Sequence, residues 1–412
     1  EPLLSGALDR PMNIAWDKTT KGFRESTFKL SVTDLNTTDW KSLLGPDVPS
    51  ATLSSTLVVR ADQDGRDIKA VLDAATDLVL EAAAEIRLPD AATPFAVADY
   101  GCADGGTSID LHRALIADIR RRETDRPVAL YYTDLPGNDY SALFKRLQGM
   151  LPMDAIGFTN FARVYPFASG TTFYRQIVPS GTLSLGFSAT AMHWTSAKPG
   201  QITGHVHSVG AKGEELAAFR AQSLKDWETI LLHRAAELRP GGWLVMANFC
   251  IDEEGRYLGH TGGQSMFDQY EKHWRARHAA GVITRAEYDR ATFQQHYRTP
   301  EECAAPFRDP QSAVSRAGLE LVRIFSRVTP CPYAVDFQRH GDAAAFAKAY
   351  IPTLRSWSES TFAGALDPAR PAGERAAIID RFYDSYESAV AQNPQGHGMD
   401  YVHCFMQIRK RA

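Results

Sequence analysis

A glycine-rich segment at residues 97–107, Val-Ala-Asp-Tyr-Gly-Cys-Ala-Asp-Gly-Gly-Thr, constrains the fold more than any other part of the sequence. A short apolar run ends at Asp99, Gly101 follows in a predicted turn, and a helical pattern of apolar residues begins near Thr107. Glycines in such a turn let the backbone approach a ligand closely and leave the first amides of the next helix exposed. The segment therefore predicts a strand, a ligand-binding turn and a helix, in that order.

The apolar pattern alternates between helix and strand from about residue 57 to residue 250. This alternation predicts an α/β fold with a doubly wound, mostly parallel sheet. Two helical blocks, at about 259–310 and 337–362, interrupt the last third of the chain, and we expect them to cap the carboxyl ends of the strands. Further helices are predicted at 67–88, 107–122, 214–238 and 371–391, and strands at 95–98, 128–132, 182–187, 243–249, 319–328 and 401–408.

Composition and charge exclude several classes of function. Lysine and arginine total 45 against 49 aspartates and glutamates, so the net charge of −4 gives no general attraction to nucleic acid or anionic membrane. No apolar run approaches the roughly 18–20 residues of a spanning helix, and the first residues carry no signal pattern. The five cysteines form no C-x-x-C pair, which favours free thiols in a reducing compartment. We expect a cytoplasmic protein with no nucleic acid or membrane partner.

The charges of the glycine-rich segment indicate which nucleotide it binds. A nicotinamide dinucleotide site needs G-x-G-x-x-G after the strand, whereas this chain has D-x-G-x-x-x-G-G, with Asp99 and Asp104. Two carboxylates repel a pyrophosphate but suit a ligand with an amino cation and hydroxyls, which favours S-adenosylmethionine. Asp134 ends the next predicted strand, where a carboxylate is the usual partner of ribose hydroxyls, although it is also a natural turn residue.

Five short motifs follow one another along the chain: Ala-Asp-Tyr-Gly-Cys at 98–102, Asp-Leu-Pro-Gly-Asn-Asp at 134–139, Phe-Tyr at 173–174 with Pro179, His-Trp at 193–194, and Arg-Pro-Gly-Gly at 239–242. In these motifs the chain resembles the SABATH methyltransferases, which methylate small acids such as salicylate and jasmonate, and also xanthine alkaloids. The resemblance spans residues 26 to 412, and the motif at 134–139 is the most specific. It implies a class I methyltransferase core, which is Rossmann-like, with a helical cap and S-adenosylmethionine as cofactor.

The resemblance also implies two sets of binding residues, carried over position by position. Ser26 closes over the amino acid end of the donor, and Trp194 donates a hydrogen bond to the substrate carboxylate. Lys29 stands where the family has a carboxylate-binding glutamine, and Thr107 where it commonly has asparagine. The implied donor site comprises Ser26, Asp99, Gly101, Thr107, Asp134, Leu135, Thr172 and Phe173. The implied acid site comprises the catalytic residues Trp194 and Lys29 together with His193, Met266, Phe267, Tyr297, Phe346, Ala349 and Tyr401.

The expected reaction is methyl transfer to the carboxylate of a small organic acid, which gives a methyl ester. A carboxylic acid has a pKa of about 4 and is already an anion at neutral pH, so the reaction needs neither a general base nor a metal. We predict no metal, because residues 291–294 lack the aspartate of the metal-binding segment in some plant members and the His-Val-His at 205–207 has no third ligand nearby. Lys29 favours an acid with a second anionic or hydrogen-bonding group, although a solvent-facing lysine is the alternative.

The expected core consists of residues 55–258, 319–335 and 371–412, with cap insertions at 259–318 and 336–370 and a segment, 1–54, that closes over the active site. Three alternatives stay open: an N-methyltransferase acting on a purine-like heterocycle, a non-catalytic ligand-binding relative, and an NAD-dependent Rossmann-fold protein. The roles of His193 and His296 are open between substrate contact and structural hydrogen bonding, as is the identity of the acid. A homodimer is compatible with the sequence.

Overall fold

The computed structural model describes residues 4–8, 27–36, 52–60, 66–150, 157, 158 and 160–412. The chain divides into two compact units, residues 1–65 and residues 66–412. In the first unit, three strands pair antiparallel in chain order, namely β1 (Leu4–Leu8), β2 (Thr27–Asn36) and β3 (Thr52–Arg60). The elements described below belong to the second unit.

A sheet of seven strands forms the centre of the second unit. Its strands are β4 (Phe95–Tyr100), β5 (Val128–Asp134), β6 (Val164–Gly170), β7 (Leu183–Ala189), β8 (Leu238–Phe249), β9 (Leu319–Thr329) and β10 (Tyr401–Lys410). They lie in the order β6-β5-β4-β7-β8-β10-β9, and the first five are parallel, whereas β10 runs antiparallel to both β8 and β9. The prediction of an α/β fold with a doubly wound, mostly parallel sheet is confirmed.

The direction of winding reverses at β4, which pairs with β5 on one side and β7 on the other. Open α/β sheets bind ligands outside the carboxyl ends of the strands at such a reversal. Every residue of β4 is buried, as expected for a central parallel strand that is covered on both faces. The crevice that follows Tyr100 is therefore the place where this fold positions a ligand.

The predicted helices are present, with ends that differ from the predictions by a few residues. None of the helices in the described ranges is both long enough and apolar enough to cross a bilayer. The helices are α1 (Arg66–Glu85), α2 (Ile109–Arg122), α3 (Tyr140–Leu147), α4 (Gly213–Glu237), α5 (Met266–Ala279), α6 (Arg285–Arg290), α7 (Pro300–Arg308), α8 (Ala313–Arg316), α9 (Pro332–His340), α10 (Ala343–Ala365) and α11 (Ala372–Gln392).

Helices α5, α10 and α11 are far apart in the sequence but share one buried aromatic core. The ring of Phe382 in α11 lies 4.4 Å from the ring of Phe362 in α10 and 5.4 Å from that of Trp274 in α5, measured between centroids. All three side chains are fully buried. The two helical blocks predicted from sequence therefore pack together, and α11 packs with them.

The sequence analysis predicted neither the three strands of the first unit nor, in the second unit, strand β6 and the short helices α3 and α8. Strand β6 contains Pro166, a residue type that argues against a strand except at the edge of a sheet, which is where β6 lies. Helix α3 is only eight residues long and follows a turn-forming Pro-Gly-Asn-Asp sequence. It begins where the side chain of Asp139 accepts a hydrogen bond from the amide of Ala142 at 2.9 Å, an N-cap that substitutes for a long apolar pattern.

Candidate active site

The turn after β4 packs directly against the loop after β7. Gly101 has a φ of +78°, and a Cβ built on it would lie 2.4 Å from the Cβ of Ala191. A side chain at position 101 is therefore excluded both by backbone conformation and by space. The contact brings the predicted donor turn against the segment that carries His193 and Trp194.

The Asp-Leu-Pro-Gly-Asn-Asp motif holds this turn in place. Asp134 accepts a hydrogen bond from the amide of Ala103 at 2.8 Å, and the side-chain amide of Asn138 donates to the carbonyl of Ala103 at 2.6 Å. Ala103 has a φ of +48°, a strained conformation for a residue other than glycine. The motif thus clamps a strained turn from both sides, and the half-buried Asp134 carboxylate keeps acceptor capacity for a ligand.

The two carboxylates of the turn have different environments. Asp99 is 4% exposed, and its Oδ2 has no hydrogen-bond partner among the described residues. Burial raises the pKa of Asp99 from 3.8 to about 7; a hydrogen bond from Ser108 opposes this rise, and the charge of Asp134 adds to it. Asp104, by contrast, forms an ion pair with Arg146 at 2.7 Å. Asp104 thus already has a cationic partner within the chain, whereas Oδ2 of Asp99 does not, and Asp99 is the better candidate partner for a cationic ligand.

The remaining predicted donor residues lie at the carboxyl ends of neighbouring strands. Leu135 directly follows β5 and is 58% exposed. Thr172 and Phe173 come shortly after β6 and are half-buried. Thr107 is exposed, in the turn before α2. These positions lie at the same edge of the sheet as the turn after β4, but their contact with the donor stays a prediction.

Hydrogen bonds fix the backbone around Trp194 and leave its indole N–H available to bind a substrate. Its carbonyl accepts a hydrogen bond from the hydroxyl of Tyr174, and it forms an antiparallel bridge with Gln295. Two residues earlier, the carbonyl of Met192 accepts a hydrogen bond from the buried guanidinium of Arg298. The indole is half-buried, and its N–H makes no hydrogen bond to any residue that the structure describes. Trp194 can therefore present a donor from a fixed backbone.

Four of the predicted acid-site residues meet in one aromatic cluster beside Trp194. The ring of His193 lies 5.9 Å from that of Trp194 and 5.7 Å from that of Tyr297, which in turn lies 6.1 Å from Phe267. Tyr401 joins the cluster through Phe249, which stacks on it at 5.5 Å and lies 5.6 Å from Tyr297. Phe249 was missed by the sequence analysis, because its strand position alone does not distinguish a pocket residue from core.

The other predicted acid-site residues, Met266, Phe346 and Ala349, do not belong to this cluster of rings. Met266 is fully buried at the start of α5, one residue before Phe267. Phe346 stacks between Phe337 of α9 and Tyr350 of α10 at 5.3 Å from each, and makes no ring contact with the cluster at Tyr297 among the described residues. Ala349 lies one turn further along α10 and is half-buried.

Histidines contribute to this cluster in the neutral form. Burial lowers the pKa of His193 and of His207 well below 6.5, and lowers that of His403 to about 3. His207 stacks on Phe267 at 4.1 Å and His403 on Phe249 at 4.5 Å. The His-Val-His pattern singled out His207 in the sequence. The sequence analysis considered this histidine as a metal ligand and did not predict its contact with an aromatic ring.

The other polar residues considered in the sequence analysis are His296, the possible metal ligands, Ser26 and Lys29. His296 shares a hydrogen bond with the hydroxyl of Ser208 at 3.2 Å, which supports its structural role. No group of three metal-ligating side chains occurs in the part of the chain that the structure describes. Ser26 and the side chain of Lys29 lie outside the described residues, so their predicted roles stay predictions.

A sequence profile of the family described as SAM dependent carboxyl methyltransferase matches residues 64–411. The chain belongs to this family. The resemblance to the SABATH methyltransferases is thereby confirmed, and with it S-adenosylmethionine as the cofactor of the family. Two features at the end of β4 fit this donor: Asp99 is a buried carboxylate whose Oδ2 has no hydrogen-bond partner among the described residues, and Gly101 removes any side chain from the turn.

Curated relatives are 23–30% identical to this chain over the parts that align. Gibberellic acid methyltransferase 2 of Arabidopsis thaliana is 26% identical in an alignment of 255 residues that covers 55% of this chain and 63% of that protein. O-methyltransferase acrG of Aspergillus aculeatus is 30% identical in an alignment of 291 residues that covers 66% of this chain and 71% of that protein. The chain spans about half the length of several other curated relatives that it matches.

One solved structure shows the shared fold. Loganic acid methyltransferase with S-adenosylhomocysteine superposes with a TM-score of 0.61 over 84% of this chain and 94% of that chain, at 17% identity. The class I methyltransferase fold predicted from sequence is thus confirmed.

Proposed function

We propose that this carboxyl methyltransferase transfers the methyl group of S-adenosylmethionine to the carboxylate of a small organic acid and releases the methyl ester. The observation that carries the proposal is the contact between the Gly101 turn and Ala191, because Ala191 lies three residues before Trp194 in the same loop. Direct transfer between two bound molecules requires a donor site and a carboxylate-orienting group close to each other, and this contact supports that arrangement.

The residues of the chain are suited to positioning rather than to proton transfer. When bound, S-adenosylmethionine supplies an electrophilic methyl group, and the acid is already ionised at neutral pH. Trp194 can donate a hydrogen bond but cannot accept a proton, so it orients the carboxylate without neutralising the attacking oxygen. In well-oriented reactions, positioning of this kind can lower the barrier by up to about 7–11 kcal/mol. The neutral histidines of the cluster likewise leave the negative charge of the acid unpaired.

The acid is proposed to combine an apolar body with polar substituents. The cluster of Phe249, Phe267 and Tyr297 supports an apolar body, while His193 and His207 lie among these rings as polar groups. Relatives named for gibberellic, loganic and indole-3-acetic acids support the same size class. The comparisons give no support to methylation of a purine-like heterocycle, to a non-catalytic relative or to a dinucleotide enzyme.

The proposal is tested by incubating the protein with isotope-labelled S-adenosylmethionine and a panel of aromatic, isoprenoid, hydroxy- and dicarboxylic acids. We expect label in the methyl ester of at least one acid, and a strongly reduced rate for that acid with Trp194→Phe. Label transfer to none of the acids by a protein that binds S-adenosylhomocysteine would contradict the proposal.

All five cysteines are free and buried, which supports the further proposal of a reducing, cytoplasmic location.

A further inference from the structure

A fully buried carboxylate at the end of α4 connects two segments of the donor site. The carboxylate of Glu237 accepts hydrogen bonds from the hydroxyl of Tyr100 at 2.6 Å and from the amide of Ile177. It also pairs with Arg234, whose Nε and Nη2 lie 2.7 and 2.8 Å from its oxygens. Both side chains of the ion pair have no exposed surface.

The guanidinium of Arg234 extends the network to the segment that follows β6. It donates to the carbonyls of Phe173 and Arg175, each at 2.8 Å, and its Cζ lies 4.3 Å from the centroid of the Tyr100 ring. Residues 171–178 belong to neither a helix nor a strand, so no sheet or helix ladder fixes their backbone. Arg234 and Glu237 together bond to three of these residues: Phe173, Arg175 and Ile177.

The network connects the two segments that form the proposed donor site, namely the end of β4 and the segment after β6. Tyr100 is the last residue of β4, between Asp99 and Gly101, and Phe173 is the residue predicted to lie against the adenine. A buried ion pair gives little net stability over apolar side chains of similar volume, because desolvation offsets the attraction of the charges. A role in folding alone therefore does not account for a pair placed between these segments.

We propose that Arg234 and Glu237 are positioning residues that set the spacing between the donor turn and the adenine-side segment. They touch neither donor nor acid, and act through the hydroxyl of Tyr100 and the backbone of Phe173. The inference rests on the proposed function, since it assumes that residues 99–101 and 172–173 bind S-adenosylmethionine. It predicts that the network controls the affinity for the donor and not that for the acid.

Three variants and a matched control test this assignment. Arg234→Lys keeps the charge opposite Glu237 but cannot reach both carbonyls; Glu237→Gln removes the charge; and Tyr100→Phe removes only the hydroxyl. The control is Glu287→Gln in the cap, because Glu287 is an equally buried carboxylate that accepts two backbone amides, at 2.7 and 2.8 Å, and pairs with Arg370. Each protein is checked for folding by circular dichroism, and its S-adenosylhomocysteine affinity is measured by calorimetry.

We expect the dissociation constant for S-adenosylhomocysteine to rise at least about tenfold, or 1.4 kcal/mol, in Arg234→Lys and Glu237→Gln, and less in Tyr100→Phe. The KM for the acid at saturating donor should stay unchanged, and Glu287→Gln should lose thermal stability while keeping donor affinity. If Glu237→Gln does not fold, the other two variants decide the matter. Wild-type affinity in the folded variants, or an equal loss of affinity in Glu287→Gln, would overturn the inference. Failure of the wild-type protein itself to bind would instead contradict the proposed function.

Discussion

The buried Asp99 carboxyl predicts that one substitution stabilises the protein while it destroys donor binding. The pKa of Asp99 in the folded protein is about 7, against 3.8 for an ordinary aspartate. Between these pH values the folded protein holds a proton that the unfolded chain releases, so the free energy of unfolding falls as pH rises. At about 1.4 kcal/mol per pH unit, the full difference is about 4 kcal/mol, and it is complete above pH 7.

Asp99→Asn removes this titration and keeps the shape of the side chain. A buried amide that lacks partners costs about 1–3 kcal/mol, so the net gain in unfolding free energy at pH 8 should be about 1–3 kcal/mol. The same change removes the anionic partner of the donor's amino group, a charge-assisted contact worth about 1.5–3 kcal/mol, and should weaken S-adenosylhomocysteine binding roughly 10- to 150-fold.

Urea unfolding of the ligand-free protein at pH 5, 6, 7 and 8 tests the first part, and calorimetry at pH 6 and 8 tests the second. Wild-type affinity should improve with pH up to about 7, since Asp99 must lose its proton to pair with a cation. Asp104→Asn is the matched control, because its ion pair with Arg146 is partly exposed and should contribute about 1 kcal/mol or less. An Asp99→Asn protein that is less stable than wild type at pH 8 and binds normally would refute the reasoning.

Three further substitutions test other parts of the site. Trp194→Phe should lower kcat/KM for the acid while calorimetry finds unchanged S-adenosylhomocysteine affinity, because only the orienting N–H is lost; parallel losses would indicate a packing role. Asn138→Ala should weaken that affinity roughly tenfold by releasing one of the hydrogen bonds on the strained Ala103 turn, and an unchanged calorimetric constant would show that the clamp is not needed. Lys29→Gln should shift kcat/KM from acids with a second polar group toward simple monocarboxylates, and an equal ratio in steady-state assays would exclude this role.

The sheet and the donor turn could be predicted from sequence because their signals are local. Each of these signals can be recognised within a few consecutive residues: the apolar run before Asp99, the glycines after it and the acidic end of β5. The structure places them together at the reversal of the sheet. Edge strand β6 and the short helix α3 carry weak local patterns and were missed. Propensity and periodicity contain little information on such elements, which depend on their neighbours for stability.

The pairing of side chains from distant segments could not be predicted in the same way. Asp104 and Arg146 are 42 residues apart in the chain, and no periodic pattern links them. Phe249, His207 and His403 likewise join the acid-site cluster through the packing of separate elements. A local motif identifies the chemistry of a position, whereas the partner that neutralises or orients it depends on tertiary contacts.

The central claim is transfer of the methyl group to a carboxylate oxygen, and the bond formed can be measured directly. The product made from labelled S-adenosylmethionine and an accepted acid is isolated and treated with mild base. An ester releases its label as methanol and regenerates the free acid, and this is the predicted result. Label that resists base, and therefore sits on nitrogen, carbon or an ether oxygen, would contradict the account.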